Sequence, residues 1–274
     1  MIQVQELQID YTDCTRLQAT NHAPDGTFGT VPAASVQHHF KSKNATSDAI
    51  QVLWNRTVET VAPDVGAPQE GAPVCTLQFT LPNDIGSPVY LYYRLTNFYQ
   101  NHRRYVKSLD LDQLKGQFVD NNTIANSACN PLKTDANNIA IYPCGLIANS
   151  IFNDTIGSPT AVSSSGGQDP SIYQMSRKGI AWASDLQLYK QTAYNNTDVV
   201  PPPNWQKRFP NGYDSQHGIP NLSEYEEFAV WMRTAGLPTF SKLARRNDDT
   251  VMRAGTYTIR IADCEYQPLS LLDY

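Results

Sequence analysis

Val74-Cys75-Thr76-Leu77-Gln78-Phe79-Thr80-Leu81 is the stretch on which the fold turns. Successive side chains of a strand point to opposite faces, so Cys75, Leu77, Phe79 and Leu81 share one side and Val74, Thr76, Gln78 and Thr80 the other. The pattern predicts a strand with one buried face. The cysteine points the same way as the apolar residues, so a bridge from Cys75 lies against the core. Working outward, the same period recurs at Val89–Leu95, where Val89, Leu91, Tyr93 and Leu95 oppose Tyr90, Tyr92 and Arg94. Its second face is aromatic and is expected to be covered. Near the C-terminus Tyr257, Ile259 and Ile261 alternate with Thr256, Thr258 and Arg260, and near the N-terminus Leu7, Ile9 and Tyr11 alternate with Gln8 and Asp10. Both ends therefore read as strands, expected to pair in one sheet and close the domain.

Helical signal is confined to a few places. Ser223-Glu224-Tyr225-Glu226 reads as a capping box, in which the Ser223 hydroxyl accepts from the amide three residues on and Glu226 reaches back. A helix is predicted to start there, with Tyr225, Phe228, Ala229 and Met232 as its apolar stripe, until Gly236 and Pro238 interrupt it. A short second helix is predicted around Phe240, Leu243 and Ala244. One further turn is predicted over Asp110–Lys115, ended by Gly116. Ser158–Pro170 reads as a flexible surface loop and Pro201-Pro202-Pro203 as stiff, extended chain. Strand-forming sequence flanks every loop and no internal repeat is visible, so residues 1–274 are expected to form one domain with long insertions.

The 274 residues carry 21 Lys+Arg against 26 Asp+Glu, and 21 − 26 = −5. With no Lys/Arg run longer than two, that balance argues against affinity gained by neutralising nucleic-acid phosphates or anionic headgroups. Apolar residues at 41%, charged ones at 17% and 33 Pro and Gly suit a loop-rich globular fold. No stretch approaches the roughly 18 consecutive apolar residues of a membrane helix. The longest candidate, Ile141–Phe152, is interrupted by Pro143, Asn149 and Ser150. Met1–Tyr11 lacks the basic start and apolar block of a signal peptide.

Two features nevertheless point to the secretory pathway. Six Asn-x-Ser/Thr sequons, at Asn44, Asn55, Asn121, Asn153, Asn195 and Asn221, exceed the roughly three expected by chance. Five cysteines, Cys14, Cys75, Cys129, Cys144 and Cys264, show neither a CxxC pair nor zinc-ligand spacing with His, which favours bridges over metal. Spacing alone leaves their pairing open.

Known catalytic patterns are missing: HExxH, GxSxG, GxxxxGK[ST] and GxGxxG after a strand are all absent. His38 and His39 are adjacent and face opposite ways on a strand, an awkward arrangement for one metal. Asp110/Asp112, Glu226/Glu227 and Asp248/Asp249 are explained by capping and solvation, and Asn101–Tyr105 by a salt-bridged surface. Trp54, Trp182, Trp205 and Trp231 could form an aromatic sugar platform, although burial is the default for Trp182 and Trp231.

Longer stretches carry a resemblance. Leu91-Tyr92-Tyr93-Arg94-Leu95-Thr96-Asn97-Phe98-Tyr99-Gln100-Asn101-His102-Arg103-Arg104-Tyr105, Ile141–Asp154, Gly179-Ile180-Ala181-Trp182, Pro203-Asn204-Trp205 and Phe228–Pro238 resemble the accessory, or beta, subunits of type IV P-type ATPases, the phospholipid flippases. The resemblance runs from about Ile9 to Ile261. It implies the lumenal or extracellular ectodomain of a two-pass membrane protein whose flanking transmembrane helices lie outside this chain. It also implies a non-catalytic partner that binds the ATPase, permits its export from the endoplasmic reticulum and supports its phosphoenzyme cycle, without a cofactor. The implied fold is mainly β, antiparallel and sandwich-like, with long loop insertions and a few short helices. The implied bridges are Cys14 with Cys75 and Cys129 with Cys144, leaving Cys264 as a free thiol. Asn153 sits where that family commonly carries a glycan. Within Asn195–Tyr213, the residues Pro201, Asn204 and Trp205 are expected to contact the ATPase, because a stiff extended segment loses little entropy on docking. A secreted carbohydrate-binding sandwich is the second reading, and a hydrolase with an unfamiliar site the third.

Overall fold

The computed structural model describes residues 4–14, 28–41, 50–162 and 171–262. Twelve strands and six short α-helices alternate with long irregular segments among them. The strands are β1 (Glu6–Ile9), β2 (Gly29–Thr30), β3 (Val36–His39), β4 (Leu53–Val61), β5 (Gln69–Leu81), β6 (Val89–Leu95), β7 (Ala140–Ile141), β8 (Thr155–Ile156), β9 (Thr160–Ala161), β10 (Val199–Val200), β11 (Phe240–Asn247) and β12 (Gly255–Ala262). The helices are α1 (Arg103–Lys107), α2 (Leu111–Leu114), α3 (Asn121–Ala125), α4 (Leu146–Asn149), α5 (Ala183–Leu186) and α6 (Glu226–Met232). The fold is mainly β and mainly antiparallel; the two-residue pair β7–β10 runs parallel.

The largest sheet runs β2-β4-β5-β12-β8, with β9 also pairing β12. Its centre is the strand read first. Cys75 pairs with Arg56 of β4 on one side and Ile261 of β12 on the other. Cys75, Leu77, Phe79 and Leu81 are buried, as are Tyr257, Ile259 and Ile261 across the ladder, so the period-two reading of both strands holds for these positions, whereas Val74, read on the opposite and solvated face, is fully buried as well. β6 pairs with β11 in a separate ribbon, and β1 with β3 in another. The chain ends are thus strands of different sheets, β1 and β12, and do not close one sheet together.

β11 occupies the segment expected to be a second short helix. Phe240, Leu243 and Ala244 satisfy a three- and four-residue spacing, but the run is too short to outweigh a seven-pair ladder with β6. The outer face of β6 also departs from expectation: Tyr90 and Tyr92 are exposed, with the Arg246 guanidinium 5.5 Å from the Tyr90 ring centroid.

The helical turn at Asp110 forms as read. Asp110 Oδ1 accepts from the amides of Asp112 (3.1 Å) and Gln113 (2.9 Å), capping α2. Gly116 follows at φ +83°, where a β-carbon would lie 2.2 Å from the Gln191 carbonyl oxygen. The capping box at Ser223 does not form. α6 starts at Glu226 with Tyr225 as its uncapped N-cap. Asn221 Oδ1 captures the Ser223 amide (3.1 Å) and hydroxyl (2.7 Å), while Glu226 turns away to another segment.

Candidate functional site

Two cysteine pairs lie at disulfide-bonding distance: Cys14 with Cys75, whose Cα atoms are 6.1 Å apart, and Cys129 with Cys144, at 5.6 Å. All four are buried. The first joins the turn Thr12–Cys14 to the middle of β5. The second closes the segment that enters α4, where Gly145 adopts φ +97° because a β-carbon would sit 2.1 Å from the Ser108 carbonyl oxygen. Cys264 lies outside the described residues.

The sequon asparagines are dispersed. Asn55 lies on β4 and is half-buried. Asn121 opens α3, exposed, with its Oδ1 accepting from the Ala140 amide (2.9 Å). Asn153 precedes β8, and its carbonyl accepts from Arg208 (2.7 Å). Asn195 is exposed and its side-chain amide donates to Asp198 (3.1 Å). Asn221 is held in the turn described above, and Asn44 lies outside the described residues.

The carboxylate pairs are engaged in structural roles. Asp110 caps α2, Asp112 lies 3.8 Å from Lys115, and Asp248 accepts from Arg246 (2.8 Å). Glu226 is buried and accepts from the amides of Ile180 (2.9 Å) and Ala181 (3.2 Å), fixing the segment before α5 onto α6. Glu227 pairs with Arg177, which also meets Asp64. Among the described residues no three His, Cys, Asp or Glu side chains form a metal-holding group.

A cavity of ≈ 60 Å³ lies between β6, β8 and β11, lined by Tyr93, Phe152, Arg177, Arg208, Glu227 and Arg245. Its cations are tied to the frame. Arg208 donates to the Asn153 carbonyl and the Tyr225 hydroxyl (3.2 Å), and Arg245 to the carbonyls of Ile156 (2.6 Å) and Met175 (3.3 Å). Burial, reinforced by the like charge of Arg177, holds Arg245 below the usual guanidinium range. Tyr93 stacks on Phe152 with ring centroids 3.9 Å apart, and burial pushes its hydroxyl well above the usual tyrosine range. The arrangement cross-ties sheet and loops; it presents no nucleophile beside a base.

The Asn195–Tyr213 loop corrects part of its reading. Pro201 and Trp205 are buried. The Trp205 indole N–H donates to the Ala148 carbonyl (2.9 Å), and its ring packs on Phe209 and Phe228. A large apolar ring with a satisfied donor is worth more inside than at a surface, so these two side chains serve the core. Asn204 remains exposed, its amide donating to Asn149 Oδ1 (2.9 Å). Trp54 and Trp231 are buried as well, whereas Trp182, expected inside, is exposed. The four tryptophans form no platform.

Residues 1–268 match the model of the LEM3 (ligand-effect modulator 3) family / CDC50 family. The chain belongs to this family. The resemblance first read from Leu91–Tyr105 and Ile141–Asp154 thus extends over nearly all of it. LEM3/CDC50 relatives include the phospholipid-transporting ATPase accessory subunit CRF1 of Saccharomyces cerevisiae, 45% identical over 264 residues, covering 96% of this chain and 60% of that protein. The accessory subunit CDC50 of Chaetomium thermophilum is 41% identical over 261 residues, 94% of this chain and 62% of that one. Mouse cell cycle control protein 50A is 39% identical over 208 residues, 68% and 54% respectively. The chain therefore spans about three fifths of the length of these fungal relatives. Among the described residues no helix is long and apolar enough to cross a membrane.

One structural residue of this LEM3/CDC50 chain escaped the sequence reading. Lys242 is buried, and its ammonium donates to the carbonyls of Val230 (2.8 Å), Trp231 (3.0 Å) and Arg233 (2.6 Å), closing the C-terminal end of α6. Burial, with a smaller contribution from Arg233, lowers it to about 7. Reading Phe240–Asn247 as a strand would have placed Lys242 on the side of Phe240 and Ala244; the helical reading hid that parity.

Proposed function

We propose that this chain is the ectodomain of an accessory subunit of a phospholipid-transporting ATPase, acting by binding and not by turnover. The observation that carries this is the likeness over more than nine tenths of the chain to proteins named as such subunits. Its engaged carboxylates agree with a scaffold: each pair considered as an acid and base is engaged in a cap, a latch or an ion pair, except that Asp249 offers only its backbone amide to Asn247. The carbohydrate-binding alternative finds no counterpart in those names, and three of its four tryptophans are buried.

In this reading residues 1–274 form one domain on the lumenal or extracellular face of a secretory-pathway membrane, held there by transmembrane helices that flank it in the full-length protein. Cys14–Cys75 and Cys129–Cys144 are its covalent staples, Cys264 is unpaired, and Asn153 heads the sequons that receive N-linked glycans, with Asn44, Asn55, Asn121, Asn195 and Asn221. Asn204 is retained as a contact to the ATPase. The partner is the catalytic subunit, which carries the phosphoenzyme chemistry, and no cofactor is bound here.

The test is affinity capture of the full-length protein co-expressed in turn with each phospholipid-transporting ATPase of its organism, followed by uptake of labelled phospholipid. Recovery of one ATPase, with uptake lost when the accessory chain is omitted, is the expected result. Failure to recover any of them refutes the proposal.

A further inference from the structure

The ≈ 60 Å³ cavity between β6, β8 and β11 carries more hydrogen-bond donors than its own walls satisfy. At about 10–15 Å³ of such volume per water, it has room for roughly four to six waters, or for one small ion with part of its shell. Three cations, Arg177, Arg208 and Arg245, and three carboxylates, Asp64, Asp154 and Glu227, line it. Formal charge therefore cancels, but pairing does not. Arg177 takes both Asp64 and Glu227, and Asp154 accepts from the Tyr11 hydroxyl (2.7 Å). Among the described residues Arg208 and Arg245 reach only uncharged acceptors, backbone carbonyls and the Tyr225 hydroxyl.

A guanidinium has five N–H donors and no acceptor. Arg245 spends its Nε and Nη1 on the carbonyls of Ile156 and Met175, which leaves Nη2 without a partner among the described residues. The Tyr225 hydroxyl accepts from Arg208 and keeps its own proton to donate. The Tyr93 ring is held flat on Phe152, and its hydroxyl makes no hydrogen bond among the described residues. After burial, the groups that raise that hydroxyl most are Tyr225, Tyr105 and Glu227, which sets it toward the Tyr225 and Glu227 wall.

A buried charge without a counter-charge is costly, and the like charge of Arg177 adds to the cost at Arg245. Water in the cavity accepts from these donors but brings no charge, and a cation meets donors that have no lone pair to offer. An anion answers both needs. A divalent or polyatomic anion sets a second negative charge beside Glu227 and needs more space, so the fit is a monovalent ion of halide size. Arg177 and Asp64 are part-exposed, and the cavity opens to solvent beside them.

We propose that this cavity binds one chloride-class anion, held by Arg245, Arg208 and the hydroxyls of Tyr93 and Tyr225. Bound there, it clamps β6 and β11 to the segment that carries Arg208. The site belongs to the fold and does not depend on the accessory-subunit reading, which every outcome below leaves untouched.

The experiment has two arms, both on the oxidised 274-residue chain. Crystals soaked in bromide should give an anomalous peak in the cavity, within reach of Arg245 and the Tyr93 hydroxyl. Thermal unfolding is compared in sodium chloride and sodium gluconate at 0.1 M, where screening is equal. A site half-filled at about 10 mM multiplies the folded-to-unfolded ratio about elevenfold in chloride, which raises the midpoint by about 3–5 °C over gluconate. Arg245→Gln should abolish that difference and Tyr93→Phe, which keeps the stack on Phe152, should at least halve it; general salt effects act on wild type and variants alike. If Arg245→Gln does not fold, Tyr93→Phe and the wild-type bromide map decide. Equal midpoints in the two salts, or a chloride effect undiminished in the variants, overturn the proposal. A cavity empty of bromide overturns it as well, and a bromide peak without a chloride effect in solution means binding at crystal concentration only and also overturns it.

Discussion

Replacing Cys14 and Cys75 together by alanine tests the covalent frame most directly. The bond spans a sequence separation of 61 and ties the turn after β1 to the central strand of the six-stranded sheet. In the chain-entropy model a closed loop of that length contributes about 4 kcal/mol by restricting the unfolded chain, against about 3 kcal/mol for the 15-residue separation of Cys129–Cys144. Both sulfurs are buried, Cys75 between β4 and β12, so alanine leaves a void at the sheet centre that adds about 1 kcal/mol. A total of about 5 kcal/mol corresponds to a midpoint lowered by about 10–20 °C in a chain of this size. Alanine is preferred to serine because a buried hydroxyl without a partner would add its own cost. The assay is thermal unfolding of the oxidised 274-residue chain, with free thiols counted before heating. The expected order is wild type above the Cys129/Cys144 variant, and that above the Cys14/Cys75 variant. The reasoning is refuted if removing the longer closure lowers the midpoint by less than about 3 °C or by less than removing the shorter one does.

Other outcomes follow from single side chains. Lys242 is held at about 7 when folded and returns to about 10.4 on unfolding, so the unfolded chain binds more protons between those values and stability rises with pH across that window. From pH 7 to pH 9 this amounts to roughly 2 kcal/mol, and Lys242→Met should remove that slope in urea titrations at the two pH values. Glu226→Ala leaves the amides of Ile180 and Ala181 without their acceptor and should cost about 2–4 kcal/mol, whereas Glu226→Gln keeps one acceptor oxygen and should recover about half, read by the same titrations. Trp205→Ala should destabilise by about 3–5 kcal/mol, while Asn204→Ala, at an exposed side chain, should stay within about 0.5 kcal/mol.

Much of the frame was legible because it is written at short range. The period-two runs at Val74–Leu81, Val89–Leu95 and Thr256–Ile261 became β5, β6 and β12, and the Asp110 cap and Gly116 stop bounded α2, because face alternation and turn chemistry depend on neighbours in the chain. The long family stretches were legible as identity, and their agreement with the fungal relatives covers nearly all of the chain.

What sequence left undecided were choices among partners distant along the chain. Glu226 could cap its own helix or take the amides of Ile180 and Ala181, 46 and 45 residues away, and the fold brings those within reach. Phe240–Asn247 could coil or pair, and the presence of β6 alongside settles it as a strand. Tyr90, Tyr92 and Trp182 look alike in sequence to the buried Tyr93 and Trp205, yet which aromatic ring meets solvent is decided by what packs over it. Local pattern fixes backbone geometry through sterics and short hydrogen bonds. Burial, and with it the pairing of polar groups and the exposure of aromatic rings, is a property of the assembled neighbourhood, which only the tertiary structure supplies.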